Sequence, residues 1–215
     1  MSNGFFSDIG LDTNSEEMNK TQKVVSGGIL APGVYKMQID KVYAVKKDSG
    51  AVQLNVEFKY PKEDGEEGKF FWNSYVQSGD EKGNKATYTD KNTGKEKPLP
   101  GVLEFRQLCQ AAGIDNPKTV DATIELFGEP TPVKAIPEMT GKVVTVGIRN
   151  MYDDYREQDV AFVELFLDRD GKNSKGEDLL DKLKEKIEKT PYKKSKKKKE
   201  APKAEAPVEN TESPW

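Results

Sequence analysis

The 215-residue sequence contains no histidine and a single cysteine, Cys109. The absence of histidine excludes Ser-His-Asp and Cys-His catalysis, together with every metal site that needs an imidazole ligand. One cysteine cannot form an intramolecular disulfide or a cysteine-rich zinc site. We therefore expect a reducing, cytoplasmic compartment.

The sequence also lacks long apolar runs and the common motifs of nucleotide and metal binding. No apolar run approaches the roughly 18 residues that a membrane-spanning helix needs, and the N-terminal sequence MSNGFFSDIG has no basic segment of the kind that begins a secretory signal. Neither GxxxxGK[ST] nor GxGxxG occurs, and the glycine of Asp168-Arg169-Asp170-Gly171 comes too early for a calcium loop. These absences predict a binding protein that has no enzymatic activity, cofactor, metal site or membrane partner.

Charge is abundant but unevenly distributed, and the formal net charge of -3 conceals this. Residues 172–199 hold twelve lysines against five acidic residues, whereas residues 200–215 hold four glutamates and one lysine. The chain before residue 172 is acidic overall. Blocks of like charge are typical of interaction tails, so we expect an acidic body followed by a basic segment and an acidic tip.

Five segments have the alternation of apolar and polar residues that is typical of strands. The first three are close together in sequence and predict an antiparallel meander, with a bend in the first strand near residues 40–41, where the alternation slips. The predicted strands cover residues 33–46, 51–60, 69–77, 141–149 and about 156–168.

Helices are predicted between the third and fourth strands and after the fifth. Apolar residues recur at helical spacing over 101–112, with Pro100 at the start and Gly113 at the end. Residues 119–127 are interpreted as a second short helix, and a capping box formed by Ser174 and Glu177 predicts a third helix ending near Lys189. Residues 78–99 contain little that is apolar besides Tyr88, so they are expected to be a functional or disordered loop.

This order of elements predicts a mainly β fold, an OB-fold-like five-stranded barrel with a helix between strands three and four. Such barrels are widely used to bind oligonucleotides; an SH3-like barrel or a flat sandwich sheet fits the same pattern. The predicted organisation is a flexible arm (1–29), the barrel domain (30–170), a C-terminal helix (171–190), and a disordered lysine-rich linker with an acidic, partner-binding tip (191–215).

The third predicted strand carries four aromatic residues. Alternation assigns Phe70 and Trp72 to one face and Phe71 and Tyr75 to the other. Aromatic side chains on a strand form stacking surfaces for bases in single-strand binders, but burial of both faces explains the pattern equally well. Phe71, Trp72 and Tyr75 are therefore candidate nucleic-acid contacts.

The connection between the fourth and fifth strands provides a second aromatic and basic cluster. Single-strand binders combine stacking aromatics with cations that follow the phosphate backbone. Lysines at the end of the first strand are further candidates for phosphate contacts. The candidates in these two places are Arg149, Tyr152, Tyr155, Arg156, Lys46 and Lys47.

The C-terminal tip ends in Glu212-Ser213-Pro214-Trp215, preceded by Glu209. A terminal tryptophan on an acidic, low-complexity segment is typical of a tail that docks into a pocket of a partner protein. An OB-like domain, a linker and an acidic tip ending in proline and an aromatic resemble the single-stranded DNA-binding proteins of bacteria and, most closely, of phages. The lysine-rich linker and the acidic domain depart from that pattern.

The resemblance implies sequence-independent binding and protection of single-stranded DNA in replication or recombination, within the host cytoplasm for a phage protein. It also implies that Glu209, Glu212, Pro214 and Trp215 recruit replication and recombination proteins. A virion structural or assembly protein and an RNA-binding module are the alternatives.

Overall fold

The computed structural model describes Phe5, Ile9 and residues 24–25, 30–62, 65–126, 128–153 and 158–193. The strands are β1 (Val24–Val25), β2 (Gly33–Lys46), β3 (Val52–Pro61), β4 (Glu67–Gln77), β5 (Thr87–Thr89), β6 (Glu96–Pro98), β7 (Val120–Leu126), β8 (Glu129–Ala135), β9 (Val143–Asp153), β10 (Gln158–Leu167) and β11 (Tyr192–Lys193). The helices are α1 (Pro100–Ala111) and α2 (Leu180–Lys189), and Asp80–Lys82 and Pro137–Met139 form short 3-10 turns.

A large, mainly antiparallel sheet forms the body of the protein. Its main path runs β1-β10-β9-β2-β3-β4, and the β7–β8 hairpin and β11 attach beside it. The prediction of a mainly β fold with a meander is confirmed, because β2 pairs with β3 and β3 pairs with β4. The hydrogen-bonded ladder does not close into a barrel.

The bend that was predicted in the first strand is confirmed. The pairing of β2 with β3 shifts register between Ile39 and Lys41, as a β-bulge does. Beyond the bulge both faces of β2 are covered: Ala44 points into the main core, while Tyr43 and Val45 pack against the β7–β8 hairpin.

The helix predicted over residues 119–127 is wrong, because this segment is strand β7. Its alternate side chains Ala122, Ile124 and Leu126 pack against a small apolar cluster on β2 and β8. The period of this segment is two, and its partner surface is supplied by residues distant in sequence.

Two further expectations are corrected. Residues 78–99 hold a 3-10 turn and the β5–β6 pair instead of a structureless loop. The capping box at Ser174 and Glu177 does not form, because Asn173 Oδ1 accepts hydrogen bonds from the N–H groups of Lys175 and Glu177. Helix α2 therefore begins at Leu180, although it ends at Lys189 as predicted.

The main core lies on one face of the sheet and is closed by α1. The ring of Phe166 on β10 meets Phe58 at 6.2 Å and Trp72 at 5.7 Å between centroids. Phe105 of α1 is fully buried in the same cluster. In the part of the chain that the structure describes, no helix has the length and apolar character to cross a membrane.

Candidate nucleic-acid interface

Strand β4 presents a column of side chains on its outward face. Because successive side chains point to opposite faces of a sheet, burial of Phe70 and Trp72 leaves the alternate residues outside. Phe71 is 48% exposed and Tyr75 is 50% exposed. We call this the β4 column; its members are Lys69, Phe71, Asn73 and Tyr75.

Trp72 does not belong to this surface, and its prediction as a nucleic-acid contact is wrong. The side chain is 1% exposed and its ring packs edge-on against Phe166. A base has no access to it. Burial therefore accounts for the inner pair of aromatics, and only the outer pair remains available for stacking.

The neighbouring strand β3 surrounds the column with amides and a carboxylate. The residues facing Phe71, Asn73 and Tyr75 across the ladder are Glu57, Asn55 and Gln53. Gln53 Nε2 donates a hydrogen bond of 3.2 Å to Asn73 Oδ1. This arrangement provides neutral polar groups between the two exposed rings.

The carboxylate of Glu57, the residue that faces Phe71 across the ladder, is partly neutralised. Its Oε2 atom lies 3.6 Å from Lys41 Nζ, and its Oε1 accepts a 3.4 Å hydrogen bond from the Tyr43 hydroxyl. Burial, followed by the nearby Glu57 charge, raises the pKa of Tyr43 to about 12. The tyrosine therefore remains a neutral donor to Glu57 at every physiological pH.

An open cavity of about 680 Å³ continues from the end of the column. Tyr75 belongs to both, and Tyr88, 41% exposed on β5, also lines the cavity. Lys82 and Lys85 also line the cavity, as do Asp80 and other acidic residues. Sequence reasoning missed Tyr88 as a site residue, although it is the one aromatic in an otherwise polar segment.

The turn between β2 and β3 forms one wall of this cavity. Gly50 there has φ of 77°, and a Cβ atom on it would lie 2.2 Å from Asp80 Oδ1. The N–H of Asp80 donates a 2.8 Å hydrogen bond to Ser49 O, which holds the 3-10 turn against this wall. Glycine is thus required for the close approach that shapes the cavity.

The two lysines predicted at this turn occupy different surroundings. Lys47 is exposed on the turn itself, next to the cavity wall, and its N–H donates to Ala51 O. Lys46 lines a separate shallow cavity together with Asp121 and Lys134. Lys47 therefore lies near the cavity at the end of the β4 column, whereas Lys46 faces the β7–β8 hairpin.

Arg149 was predicted to lie in a turn and to contact nucleic acid, and this is wrong. It lies in β9, is 7% exposed, and its Nη1 is 3.1 Å from Glu164 Oε2. Its guanidinium also lies over the ring of Phe162, 5.6 Å from the centroid. A buried carboxylate on the paired strand β10 therefore holds this cation inside the fold.

Tyr152, by contrast, is 38% exposed near the outer end of β9. Tyr192 of β11 is 44% exposed, and its hydroxyl donates a 2.7 Å hydrogen bond to Asp159, the residue opposite Tyr152. No periodicity in the sequence indicates that residue 192 returns to this strand. The structure thus relates two exposed tyrosines through Asp159, which lies opposite Tyr152 and accepts the hydrogen bond from Tyr192.

The remaining candidates lie outside the described residues. They are Tyr155, Arg156, Glu209, Glu212, Pro214 and Trp215. For these residues the sequence-based predictions stand as predictions.

Tyr75 and the cavity lie toward the end of strand β2, whereas Tyr152 and Tyr192 lie beyond its beginning. Gly33 at its beginning pairs with Ile148 of β9, whereas Lys46 at its end adjoins the β2–β3 turn. Thirteen residues of bent strand, at about 3.3 Å each, separate these points. The structure brings the β4 column and the cavity together but leaves Tyr152 and Tyr192 as a separate surface.

No family model matches this chain, and no curated protein matches it. What the chain binds is therefore inferred from its own side chains.

Proposed function

We propose that this protein binds single-stranded DNA with little sequence preference, through the β4 column and the adjoining cavity. The observation that carries the proposal is the pair of half-exposed rings, Phe71 and Tyr75, on one face of a strand whose other face is filled by the core. Stacking on aromatic rings is tolerant of base identity, because every base has a π face. An exposed pair of this kind contributes nothing to the core.

The spacing of the rings suits a splayed strand of bases. Tyr75 comes four positions after Phe71, so their Cα atoms are about 13 Å apart along β4. Asn73 and Gln53 lie between them with amide donors and acceptors, and Lys69 is exposed beyond Phe71. Two bases could stack on the two rings, and the polar groups between the rings could contact the sugar-phosphate backbone that joins those bases.

The topology supports an OB-like barrel as the framework. The order β10-β9-β2-β3-β4 places a long first barrel strand between the second and fourth. Cα atoms of β1, at the outer edge of β10, come within 8 Å of β4, and rings from β4 and β10 meet in the core. OB-folds are partly open barrels that bind oligonucleotides on the face of their second and third strands, and here these strands are β3 and β4.

The proposal extends to a role in replication or recombination. The acidic tip with Glu209, Glu212, Pro214 and Trp215 would then recruit partner proteins, as the resemblance to phage single-stranded DNA-binding proteins implies. An acidic body suits such a role only where cations gather locally. Lys82 and Lys85 line the cavity together with Asp80, Glu81 and Glu96, and Lys47 is exposed on the adjoining turn.

Fluorescence anisotropy of a labelled thymidine oligonucleotide tests the proposal. Loss of a stacking ring costs about 1–3 kcal/mol per base, so Phe71→Ala and Tyr75→Ala should each weaken binding about 5- to 150-fold. Oligonucleotides of mixed sequence should show similar losses. A label on the DNA is required because Trp72 is buried and its emission does not report on the interface directly.

Val120→Ala is the matched control, since Val120 is 48% exposed on β7, away from the column. It should bind as wild type. Wild-type affinity in both ring variants would contradict the proposal. Tighter binding of an RNA oligonucleotide of equal length would favour the RNA-binding alternative, and no binding to either at low salt would favour an assembly protein.

A further inference from the structure

Between β4 and α1 the chain forms a hairpin that stands apart from the main sheet. Strands β5 and β6 pair with each other in a two-stranded sheet of their own. Ala86 and Pro98 are buried at its base, where the N–H of Leu99 donates a 2.8 Å hydrogen bond to Ala86 O. Every residue from 91 to 96 is exposed. The β5–β6 hairpin, residues 86–98, is therefore anchored at its base and projects from the body at its tip.

The tip of this hairpin has a defined shape, because the side chain of Asp90 ties it together. Its Oδ1 atom accepts hydrogen bonds from the N–H groups of Asn92 at 2.8 Å and Thr93 at 3.0 Å. Lys97 Nζ lies 2.5 Å from Oδ2. The hydrogen bond from Lys97, followed by the two N–H groups, lowers the pKa of Asp90 to about 2. The carboxylate is therefore charged at physiological pH and neutralises Lys97.

The hairpin and the turn before it hold a local excess of positive charge. Residues 82–97 contain five lysines against two acidic residues, Asp90 and Glu96. Asp90 is engaged by Lys97, and Glu96 Oε1 accepts a 2.7 Å hydrogen bond from the Thr87 hydroxyl. Among the described residues, four lysines of this segment have no ion-pair partner: Lys82, Lys85, Lys91 and Lys95. Because phosphate contacts supply most of the non-specific affinity for nucleic acid, these cations offset the acidity of the body where they lie.

The cavity connects this hairpin with the β4 column. Tyr75, the last ring of the column, and Tyr88 of β5 line the same cavity. Tyr88 is 41% exposed, and Lys91 follows it by three positions, within about 10 Å along the chain. A strand of bases that leaves the column at Tyr75 therefore meets a further exposed ring and then the cations of the tip.

We propose that the β5–β6 hairpin extends the interface beyond the cavity, with Lys91 and Lys95 binding the phosphate backbone of single-stranded DNA and Tyr88 stacking on a base. This inference rests on the proposed function and adds contacts to it. Aromatic rings next to cations that follow the backbone are the combination that non-specific single-strand binders use. Because Asp90 already holds the tip, DNA binding does not have to order it, which favours affinity.

The phosphate contacts are tested by the salt dependence of binding. Each phosphate contact on a single strand contributes a slope of about 0.7 in the logarithm of affinity against the logarithm of salt. The double variant Lys91→Gln/Lys95→Gln should therefore reduce the slope by about 1.4. The control Lys118→Gln/Lys182→Gln removes two exposed lysines outside the hairpin, makes the same charge change, and should leave the slope unchanged. An unchanged slope in the hairpin variant, or an equal reduction in the control, would overturn the phosphate contacts.

The stacking contact is tested by two substitutions at one position. Tyr88→Ala removes the ring and should weaken the binding of a thymidine oligonucleotide about 5- to 150-fold. Tyr88→Phe keeps the ring and should bind as the wild-type protein does. Wild-type affinity in Tyr88→Ala would overturn the stacking contact.

The approach of DNA to the tip can be observed with a label. Cys109 is fully buried, so an environment-sensitive fluorophore reacts selectively with the variant Asn92→Cys. Its emission should change when the thymidine oligonucleotide is added to saturation. The same fluorophore on the exposed control Lys118→Cys should not respond. A silent label at position 92 on the saturated protein would overturn the hairpin contact.

The outcomes separate this inference from the proposed function. If Phe71→Ala and Tyr75→Ala weakened binding while the hairpin variants behaved as wild type, the column would stand and the hairpin contact would fail. If the two column variants had no effect while the slope still fell in Lys91→Gln/Lys95→Gln, the proposed column would fail and the hairpin contact would stand.

Discussion

Phe71 and Trp72 are adjacent in sequence and similar in character, yet the two faces of β4 give them different surroundings. Trp72 is 1% exposed among core rings, while Phe71 is 48% exposed beside amides. The same contrast separates Arg149, buried against Glu164, from the exposed Tyr152 three residues further along β9. Residue type therefore identifies the strands that carry aromatic and basic side chains, and only the fold determines which of these side chains are exposed and able to contact a ligand.

The sharpest test of this contrast is the loss of the inner ring. Trp72→Ala removes a large, fully buried side chain and should lower the free energy of unfolding by about 3–5 kcal/mol, as large-to-small core changes do. Phe71→Ala should change it by no more than about 0.5 kcal/mol, since the residue is on the surface. Urea denaturation followed by circular dichroism measures both.

Trp72→Phe distinguishes packing from hydrogen bonding at the same position. Among the described residues the indole Nε1 has no hydrogen-bond partner, so phenylalanine loses only part of the packing. We expect it to retain most of the stability that alanine loses. Equal destabilisation by Trp72→Phe and Trp72→Ala would show that the indole is held by an interaction other than packing.

The five main strands, the bulge in β2 and helix α1 could be predicted from the sequence, because each has its own periodicity or its own terminating residue. Strand β7 was missed although its period of two is visible, because Ala122, Ile124 and Leu126 alternate with polar residues. The sequence does not show the partners of this apolar face, Tyr43 and Val45 of β2, which lie about 80 positions earlier in the chain.

Only part of the candidate site could be predicted from the sequence. The alternation along β4 assigned Phe71 and Tyr75 to one face, and this is confirmed. It did not reveal which face the core would occupy, so Trp72 was wrongly included. Arg149 was misassigned because its partner Glu164 comes from another strand, and Tyr192 was missed because a two-residue strand has no periodicity.

A second prediction concerns the buried cation of β9. Glu164→Ala leaves the guanidinium of Arg149 buried without its carboxylate, and breaking such a pair costs about 3–5 kcal/mol. We expect the lower end of this range, because Lys186 is half exposed and can return to water. The free energy of unfolding from urea titrations is the measurement.

Glu185→Ala is the appropriate control for this change. Its carboxylate pairs with Lys189 on the exposed side of α2, and surface ion pairs contribute about 0–1 kcal/mol. If Glu164→Ala were no more harmful than Glu185→Ala, Arg149 would not depend on its buried partner and its availability to DNA would have to be reconsidered.

The smallest expected effect concerns a carboxyl group on the inner side of β4, near Ser74. Glu104 of α1 is 4% exposed, and burial raises its pKa to about 7, with a hydrogen bond to Ser74 opposing the shift. Unfolding returns the group to its ordinary value of 4.5. The folded protein therefore binds more protons than the unfolded chain between these values, so stability falls as the pH rises from about 4.5 to about 7 and is constant above that range.

Replacing Glu104 by an uncharged residue should abolish this dependence of stability on pH. Each unit of pKa difference corresponds to about 1.4 kcal/mol, so Glu104→Gln should stabilise the protein by about 1–3 kcal/mol at pH 8 and by almost nothing at pH 4.5. Urea titrations across this range, with the exposed Glu125→Gln as control, provide the measurement. Because Glu104 lies on the core side, the affinity of the folded protein for DNA at pH 8 should be the same in both variants. A glutamine variant with the wild-type pH slope would show that Glu104 is not the group that titrates, whereas a change in affinity would mean that the inner side of β4 is coupled to the column outside.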